Sequence, residues 1–195
     1  MCNEYERNID WDVFARAMQE IELGLPTSQG PADLPPASSI RISETGTVLR
    51  AAGNGVELAP MRFAFPPPRK GASPVFNFRS EGRSFEKSNR CLILASAFFE
   101  FTGTKSPKAK HRFTLADAPF LAIAGIWREV DGNEAFTMLT TEPGPDIAPF
   151  HNRQVVVLPP QDWSAWIYLS RPERELLQPL PAGSITEELV RPAAA

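Results

Sequence analysis

The sequence predicts one α+β domain: a curved, mostly antiparallel β-sheet with a barrel-like core and a few short flanking helices. The chain has 195 residues, 43% hydrophobic and 22% charged, which suits a single domain with a substantial core. Twenty prolines divide it into short elements and argue against a helical bundle. Most apolar runs are short, strand-like and bounded by turn residues.

A helix is predicted near the N-terminus. Asp10 is suited to cap it, and Gly24 to end it. Between them, apolar residues recur at helical spacing, namely Trp11, Phe14, Met18 and Ile21. Residues 26–38, rich in proline, are predicted to form a loop.

The middle of the chain is predicted to form strands. TVLRAA and VELAPMRFAF, joined by GNG, are typical of a hairpin. RCLILASAFFEF is apolar on both faces and is predicted to be one central strand. HRFTLADAPFLAIAGIW is predicted to be a second hairpin that turns at residues 117–119. The other strand-like segments here are VFNF and EAFTMLTT.

The C-terminal part is predicted to contain a buried strand, RQVVVLPP, and two short helices, PPQDWSAWIYL and PERELLQPL. No repeat or linker divides the chain. We therefore expect a single domain spanning residues 1–195, with residues 1–190 as its ordered core and residues 191–195 as a loose tail.

Several classes of protein are not supported by the sequence. It has no apolar run of 18 residues and no signal pattern at its start, so we expect a cytoplasmic protein without membrane contact. Its two cysteines cannot form a disulfide framework, and Cys91 lies in an apolar run where it is expected to pack. Two histidines and two cysteines lie too far apart for a zinc motif, so we expect no metal and no cofactor. We also expect a monomer.

Charge is unevenly distributed along the chain. The net charge is −3, yet residues 62–112 contain eleven Lys and Arg residues against three acids. A basic middle in an acidic protein suits a polyanion, and scattered solvated lysines are the alternative. If the segment binds a nucleic acid, Arg62, Arg69 and Arg83 are candidate contacts, and Phe63 or Phe65 could stack on bases.

Four polar residues interrupt apolar segments and are candidates for chemistry: Cys2, Asn77, Glu100 and His151. Each has an alternative role. Glu100 lies between phenylalanines, and two orientations are open: its side chain faces solvent, or it points inward and its pKa is raised. His151 could cap or pack, and Asn77 could satisfy a turn.

Cys2 directly follows Met1, so its chemistry depends on the N-terminus. Methionine is commonly removed when the next side chain is small. Cys2 would then carry a free α-amine and a thiol on adjacent carbons, a 1,2-aminothiol that no internal residue has.

Five motifs occur along almost the whole chain in the order Met-Cys, NFRSE, RCLILASAFFEF, AIAGIW and HNRQVVVL. In this order they resemble the SOS response-associated peptidase (SRAP) family, the abasic-site processing proteins. The chain departs from the family pattern at Phe78, Phe101 and Gln154–Val155, and resembles a divergent member. The family's Asn-x-Ala-Pro loop is reduced to LPPAS, and its Trp-Gly segment reads MRFAFPP.

The resemblance implies a function and a site. The partner would be single-stranded DNA with an abasic site, and the Cys2 amine and thiol would form a thiazolidine with the ring-opened aldehyde. Glu100 would move protons, His151 would donate to the sugar oxygen, and Asn77 would orient Cys2. Arg79 and Arg153 would hold phosphates that flank the lesion.

Two other functions fit the same residues. In a cysteine peptidase, which could act on its own leading methionine, Cys2, His151 and Glu100 would be nucleophile, base and orienting group. A nucleic-acid binding module without catalysis is the second alternative. Whether Met1 is removed decides between them in part.

Overall fold

The computed structural model of the protein describes residues 1–25 and 28–194. Its helices are α1 (Trp11–Glu20), α2 (Pro160–Tyr168) and α3 (Glu173–Leu176), with one 3₁₀ turn at Pro31–Asp33. Its strands, in chain order, are β1 (Glu4–Arg7), β2 (Ala37–Arg41), β3 (Thr45–Ala52), β4 (Gly55–Phe63), β5 (Asn77–Arg79), β6 (Asn89–Ala95), β7 (Ala97–Thr102), β8 (Ala109–Leu115), β9 (Leu121–Val130), β10 (Asn133–Thr141), β11 (Gln154–Val155), β12 (Val157–Leu158) and β13 (Ile185–Arg191).

The strands form two sheets. The five-stranded sheet has the order β13-β8-β7-β1-β2 and is antiparallel throughout. The eight-stranded sheet has the order β11-β10-β4-β3-β6-β9-β12, with β5 paired to β10. It is mixed, because β10 runs parallel to β4 and β5, and it curls because β9 also pairs with β10. The prediction of a curved, mostly antiparallel α+β domain is confirmed, although the barrel-like sheet is not strictly closed.

The N-terminal helix begins where the sequence predicts. The Asp10 carboxylate accepts hydrogen bonds from the backbone N–H groups of Asp12 and Val13, and Phe14 and Met18 are buried. The helix ends at Glu20 rather than at Gly24, because Glu22 has a positive φ of 57°. In the predicted loop 26–38, Pro26 and Thr27 lie outside the described residues.

The predicted first hairpin is confirmed as β3 and β4. RCLILASAFFEF, however, is not one strand. It breaks at Ser96 into β6 of the eight-stranded sheet and β7 of the five-stranded sheet. The backbone N–H of Ser96 donates to the carbonyl oxygen of Glu6, and its hydroxyl donates to the Glu6 carboxylate. These bonds turn the chain from one sheet into the other.

The predicted second hairpin is also wrong. β8 pairs with β7 and β13, whereas β9 pairs with β6, β10 and β12. The turn at residues 117–119 is therefore a crossover between sheets. Alternation of apolar residues predicted both strands, but it carries no information about which strand each one pairs with.

The core lies on both faces of the eight-stranded sheet, in two clusters. One lies beneath α1 and α2, and the other lies between the two sheets and contains Cys2 and Cys91. The predicted tail includes Arg191, the last residue of β13, and the backbone N–H of Ala194 donates to the carbonyl oxygen of Pro107. Ala195 lies outside the described residues. Within residues 1–25 and 28–194, no helix has the length and apolar character needed to cross a bilayer.

Candidate active site at the N-terminus

The first residues of the chain enter the interior between the two sheets. β1 lies between β2 and β7, with Tyr5 opposite Phe98. Because β1 runs antiparallel to β7, the two residues that precede β1 approach the second half of β7, where Glu100 lies. Cys2 is only 1% exposed, and its thiol donates to the carbonyl oxygen of Glu4 at 3.3 Å.

The four predicted catalytic residues are brought together around this terminus. The Met1 amino nitrogen lies 2.6 Å from Nε2 of His151 and 3.0 Å from Oε2 of Glu100. The side-chain amide of Asn77 donates to the carbonyl oxygen of Cys2 at 2.8 Å. An imidazole, a carboxyl group and an amide thus lie within hydrogen-bonding distance of two consecutive residues, Met1 and Cys2.

Both sheets supply the site. Asn77 is the first residue of β5, where it lies beside Met138 of β10. Glu100 lies on β7 of the other sheet, opposite His111 of β8. His151 follows the turn at residues 145–150, in which its backbone N–H donates to the carbonyl oxygen of Ile147. The site therefore lies at the junction of the two sheets.

The imidazole of His151 can exchange a proton with the amine. Its Nδ1 lies 3.0 Å from both the backbone nitrogen and the carbonyl oxygen of Arg153. When Nδ1 accepts from that N–H, Nε2 carries the proton and donates to a neutral amine. When Nδ1 donates to the carbonyl, Nε2 accepts from an ammonium group. Both tautomers are satisfied by the same backbone.

Glu100 points inward, which excludes the solvent-facing alternative. It is 2% exposed, and burial raises its pKa, while the nearby terminal ammonium acts in the opposite direction. Within the described part of the chain, its Oε1 and the Oδ1 of Asn77 are buried without a hydrogen-bond partner. Two polar atoms are therefore available to a ligand beside the N-terminus.

The thiol is not activated. Burial, followed by the charge of Glu100, raises the pKa of the Cys2 thiol to about 12. The positive charge of the N-terminus lowers it by less than these two effects raise it. The group is a neutral thiol at physiological pH, and a reaction that begins with a thiolate is disfavoured.

Arg153, predicted to contact a phosphate, is largely buried. It is 8% exposed, and its guanidinium donates to both carboxylate oxygens of Glu81 at 2.5 and 2.8 Å and to the carbonyl oxygen of Thr140 at 2.8 Å. This ion pair lowers the pKa of Glu81 to about 2. The predicted phosphate contact would have to displace Glu81. The backbone nitrogen and carbonyl oxygen of Arg153 contact the His151 ring, so the residue also adjoins the N-terminal site.

The other predicted DNA contacts are exposed but dispersed. Arg79 lies on β5 two residues from Asn77, so alternation places both side chains on one face. Arg83 lies over the Phe78 ring at 4.5 Å, and Arg62 donates to the hydroxyl of Ser43 at 3.1 Å. Arg69 lies in the loop after β4. Of these four, Arg79 is the one nearest in sequence and strand position to the N-terminal site.

Part of the basic middle segment is structural. Arg90 donates to backbone carbonyls at the end of α2, Lys110 pairs with Glu4 at 2.7 Å, and Arg112 pairs with Glu6 at 2.8 Å. Sequence counting cannot separate such buried partners from free surface cations. The high positive charge of residues 62–112 therefore overstates the surface that a polyanion could contact.

The stacking role predicted for Phe63 and Phe65 is wrong. Phe63 is fully buried, stacked on Phe136 at a centroid distance of 5.2 Å, and Phe65 is 4% exposed.

Sequence analysis also missed Glu81 and Thr140, which hold the guanidinium of Arg153. The only hint of this in the sequence is that Glu81 is the last residue of the NFRSE motif. Among the described residues, no group of three or more His, Cys, Asp or Glu side chains is placed to hold a metal ion.

Comparison with known proteins agrees with these observations. The family model described as SOS response associated peptidase (SRAP) matches residues 1–193. The chain is 30% identical over 146 residues to the abasic site processing protein YoqW of Bacillus subtilis (strain 168), a match that covers 66% of this chain and 65% of that protein. It is 28% identical over 146 residues to the abasic site processing protein YobE of the same organism, covering 66% of each. The chain thus spans slightly less than two thirds of the length of YoqW.

Solved structures share the fold. A crystal structure of a phage-related protein from Bordetella bronchiseptica superposes with a TM-score of 0.72 at 20% identity, covering 97% of this chain and 94% of that one. A second protein from the same organism gives a TM-score of 0.70 at 23% identity, covering 97% of this chain and 100% of the other.

Proposed function

Because the chain belongs to the SOS response-associated peptidase (SRAP) family, we propose that it processes abasic sites in single-stranded DNA and becomes covalently linked to them through Cys2. The observation that carries this proposal is the position of the chain's N-terminus, whose amine here is that of Met1, the residue before Cys2. It lies 2.6 Å from His151 and 3.0 Å from Glu100, and the adjoining Cys2 carbonyl is held by Asn77. Two of these three contacts are made by the terminal amine itself.

The reactive form requires removal of Met1. The α-amine then belongs to Cys2, on the carbon next to its thiol-bearing side chain. An α-amine has a pKa of about 7.7–8.0, so roughly a quarter is neutral near pH 7.4. A lysine with a pKa of about 10.4 is neutral only about one part in a thousand. The terminus is therefore on the order of a few hundred times more available as a nucleophile.

The proposed reaction has two steps. First, the Cys2 amine adds to the aldehyde of the ring-opened deoxyribose and, with loss of one water molecule, forms a C=N bond. Second, the Cys2 sulfur adds to that imine carbon, and the thiol proton passes to the nitrogen. The product is a five-membered thiazolidine, and nothing is oxidised or reduced. Because the amine acts first, a thiol whose pKa is raised to about 12 suffices.

The surrounding residues have distinct tasks in this scheme. Glu100, whose pKa is raised by burial, can give a proton to the departing hydroxyl and take one from the thiol. His151 can remove the ammonium proton or donate to the sugar oxygen through Nε2. Asn77 orients Cys2 through its carbonyl, and its unpartnered Oδ1 could accept from a sugar hydroxyl. Arg79 would contact a phosphate beside the lesion.

A second candidate activity is removal of Met1 by the protein itself. The observation in its favour is that Glu100 and His151 bind the Met1 amino group, as a peptidase binds the terminus of its substrate. A general cysteine peptidase is disfavoured, because the Cys2 thiol has a pKa of about 12.

The test uses single-stranded DNA that contains one abasic site. Protein shown by intact mass to lack Met1 should give a shifted band on a denaturing gel. Cys2→Ala and Cys2→Ser keep the α-amine but lack the sulfur, so each should lose the stable band and form only a reversible imine that borohydride reduction traps. Cys91→Ala, which removes the other buried thiol, is the matched control and should retain the band. No band from mature wild-type protein would leave the binding module as the better interpretation.

A further inference from the structure

A cluster of side chains beside the N-terminal site has no task in the proposed reaction. At its centre is His111 of β8, one of the two histidines of the chain. It is 8% exposed and is the cross-strand partner of Glu100 on β7. The side chains of such a pair project from the same face of a sheet, with Cβ atoms about 4.5–5.5 Å apart. His111 and Glu100 are therefore neighbours on the face that meets the N-terminus.

Both ring nitrogens of His111 have a partner. Nδ1 lies 2.6 Å from Oε1 of Glu187 on β13, and Nε2 lies 2.7 Å from the hydroxyl oxygen of Thr102 on β7. Because a carboxylate can only accept, Nδ1 carries a proton, and the hydroxyl of Thr102 donates to Nε2 of a neutral ring. The two neighbouring strands thus fix the orientation and the tautomer of the imidazole.

The imidazole of His111 is part of the surface on which Phe150 packs. The centroids of these two rings lie 4.9 Å apart, and Phe113, two residues further along β8, contacts Phe150 edge-on at 5.3 Å. Phe150 directly precedes His151, and their turn lies between β10 and β11 of the eight-stranded sheet. The ring of Phe150 therefore joins the segment that carries His151 to the sheet that carries Glu100.

The C-terminal segment holds the same turn at a second point. The Asp146 carboxylate accepts hydrogen bonds from the backbone N–H groups of Gly183 and Ile185, at 2.9 and 3.0 Å. Ile185 is the first residue of β13, the strand that also carries Glu187. This end of the chain therefore contacts the turn directly and, through His111, a second time.

We infer that His111 is a positioning residue for the proposed reaction. By supporting Phe150, it sets the distance between Glu100 and His151, which reach one amine from different sheets. Glu187 in turn holds the imidazole in the required orientation. The inference rests on the proposed function, since it concerns the same site. A misplacement of about 1 Å can cost roughly a hundredfold in rate, so a ring that fixes this distance affects catalysis without touching the substrate.

The chain has two histidines, which allows a direct test by NMR. Long-range proton–nitrogen spectra at fixed pH, on protein with one N-terminal form by intact mass, should contain two imidazole signal sets, which His111→Phe and His151→Gln assign. In Glu187→Ala we expect His111 to lose its Nδ1–H tautomer and the His151 nitrogen signals to shift or broaden. Glu188→Ala is the matched control, because Glu188 adjoins Glu187 on β13 with a side chain that is 69% exposed. It should leave both signal sets unchanged.

Single-turnover cross-linking at a series of abasic DNA concentrations separates positioning from binding. His111→Phe keeps a ring against Phe150 but loses both hydrogen bonds, and Glu187→Ala removes one of them. We expect each to lower the maximal rate, by about 10- to 100-fold for His111→Phe, without changing the DNA concentration that gives half of this rate. Glu187→Gln, whose amide oxygen can still accept from Nδ1, should restore most of the rate. Glu188→Ala should match the wild type.

The outcomes distinguish this inference from the proposed function. Wild-type cross-linking rates in His111→Phe and Glu187→Ala would overturn the positioning role and leave the Cys2 chemistry intact, and so would a lower rate with unchanged His151 signals. Shifted His151 signals in Glu187→Ala, without any cross-link from wild-type protein, would support the positioning role and count against the proposed function. The side chain of Glu187 is 29% exposed, so its variants are informative even if His111→Phe does not fold.

Discussion

The side-chain amide of Asn77 donates to the carbonyl oxygen of Cys2 at 2.8 Å, across 75 positions of the sequence. It ties the N-terminal residues to β5 of the eight-stranded sheet. We expect Asn77→Ala to slow cross-linking to abasic DNA by about 10- to 100-fold, because one hydrogen bond is lost and the amine is less well positioned. Single-turnover gel assays on Met1-free protein measure this rate.

Asn133→Ala is the control for that change. Asn133 is exposed, and its side-chain amide donates to the carbonyl oxygen of Asp131 in the turn before β10. Its variant should cross-link at the wild-type rate. An unchanged rate in Asn77→Ala would mean that other contacts fix Cys2.

Glu81 contributes stability that depends on pH. Pairing with Arg153 lowers the pKa of Glu81 to about 2, below the unfolded value of about 4.3. A group with a depressed folded pKa stabilises above its unfolded pKa, and that contribution is lost as the pH falls from about 4.3 towards 2. We expect Glu81→Gln to lower the free energy of unfolding by ~1–2 kcal/mol at pH 7, less than for a fully buried pair, because the side chain of Glu81 is 37% exposed.

Chemical denaturation at a series of pH values tests this prediction. The difference between wild type and Glu81→Gln should shrink as the pH falls from 4.3 to 2. Glu86→Gln, an exposed acid in the same loop, should follow the wild-type curve. A constant difference across that range would contradict the assigned ion pair.

Glu100 should have the opposite effect on stability. Burial raises its pKa above the unfolded value, so its contribution is fully present below the unfolded pKa and is lost as the pH rises through the folded pKa. Glu100→Gln should therefore raise the Tm at pH 7 to 8, by about 2–4 °C for each kcal/mol relieved. The difference should close below about pH 4, where both side chains are neutral.

The same substitution should cost activity. Without a titratable carboxyl group, Glu100→Gln should lose the limb of the pH–rate profile that wild-type protein owes to this group. Greater stability together with slower cross-linking would mark Glu100 as a functional residue. Lower stability at pH 7 would instead mean that its pairing with the terminal amine outweighs the cost of burial.

The structure brings together the four residues that the sequence singled out, whereas part of the predicted strand pairing is wrong. The sequence singled out Cys2, Asn77, Glu100 and His151 because each polar residue interrupts an apolar segment, and this signal is local. Pairing depends on contacts far apart in sequence, so the break at Ser96, stabilised by Glu6, could not be read from an unbroken apolar run.

Strands β1, β2 and β13 were missed for a related reason. Each is short or largely polar, with an alternation too brief to stand out, as in Glu4–Arg7. The role of Arg153 was equally hidden, because a sequence does not show that Glu81 lies beside it. What could be predicted were residue types and periods, and what could not were partners.

Removing the hydroxyl group of Tyr5 should stabilise the folded protein. The hydroxyl is buried and has no hydrogen-bond partner among the described residues. We expect Tyr5→Phe to raise the free energy of unfolding by ~1 kcal/mol, since burying an unpaired polar group is costly. Urea denaturation at pH 7 measures the change, and a loss of stability would show that the hydroxyl is satisfied in solution.

The cost of adding a side chain at Gly46 should depend on the same Tyr5 hydroxyl group. A Cβ at this position would lie 2.0 Å from the Tyr5 oxygen and 3.1 Å from Phe136. Gly46→Ala should lower the free energy of unfolding by ~1–3 kcal/mol in wild type and by less in the Tyr5→Phe background. Additive effects in the double variant would rule out a clash with the hydroxyl.

Glu100 comes from the five-stranded sheet, whereas Asn77 and His151 come from the eight-stranded sheet or the segments that join its strands. A nascent chain with only one sheet formed therefore cannot place these three side chains around its N-terminus. On the proposed function, capture of an abasic aldehyde with the help of these side chains is therefore a readout of completed folding.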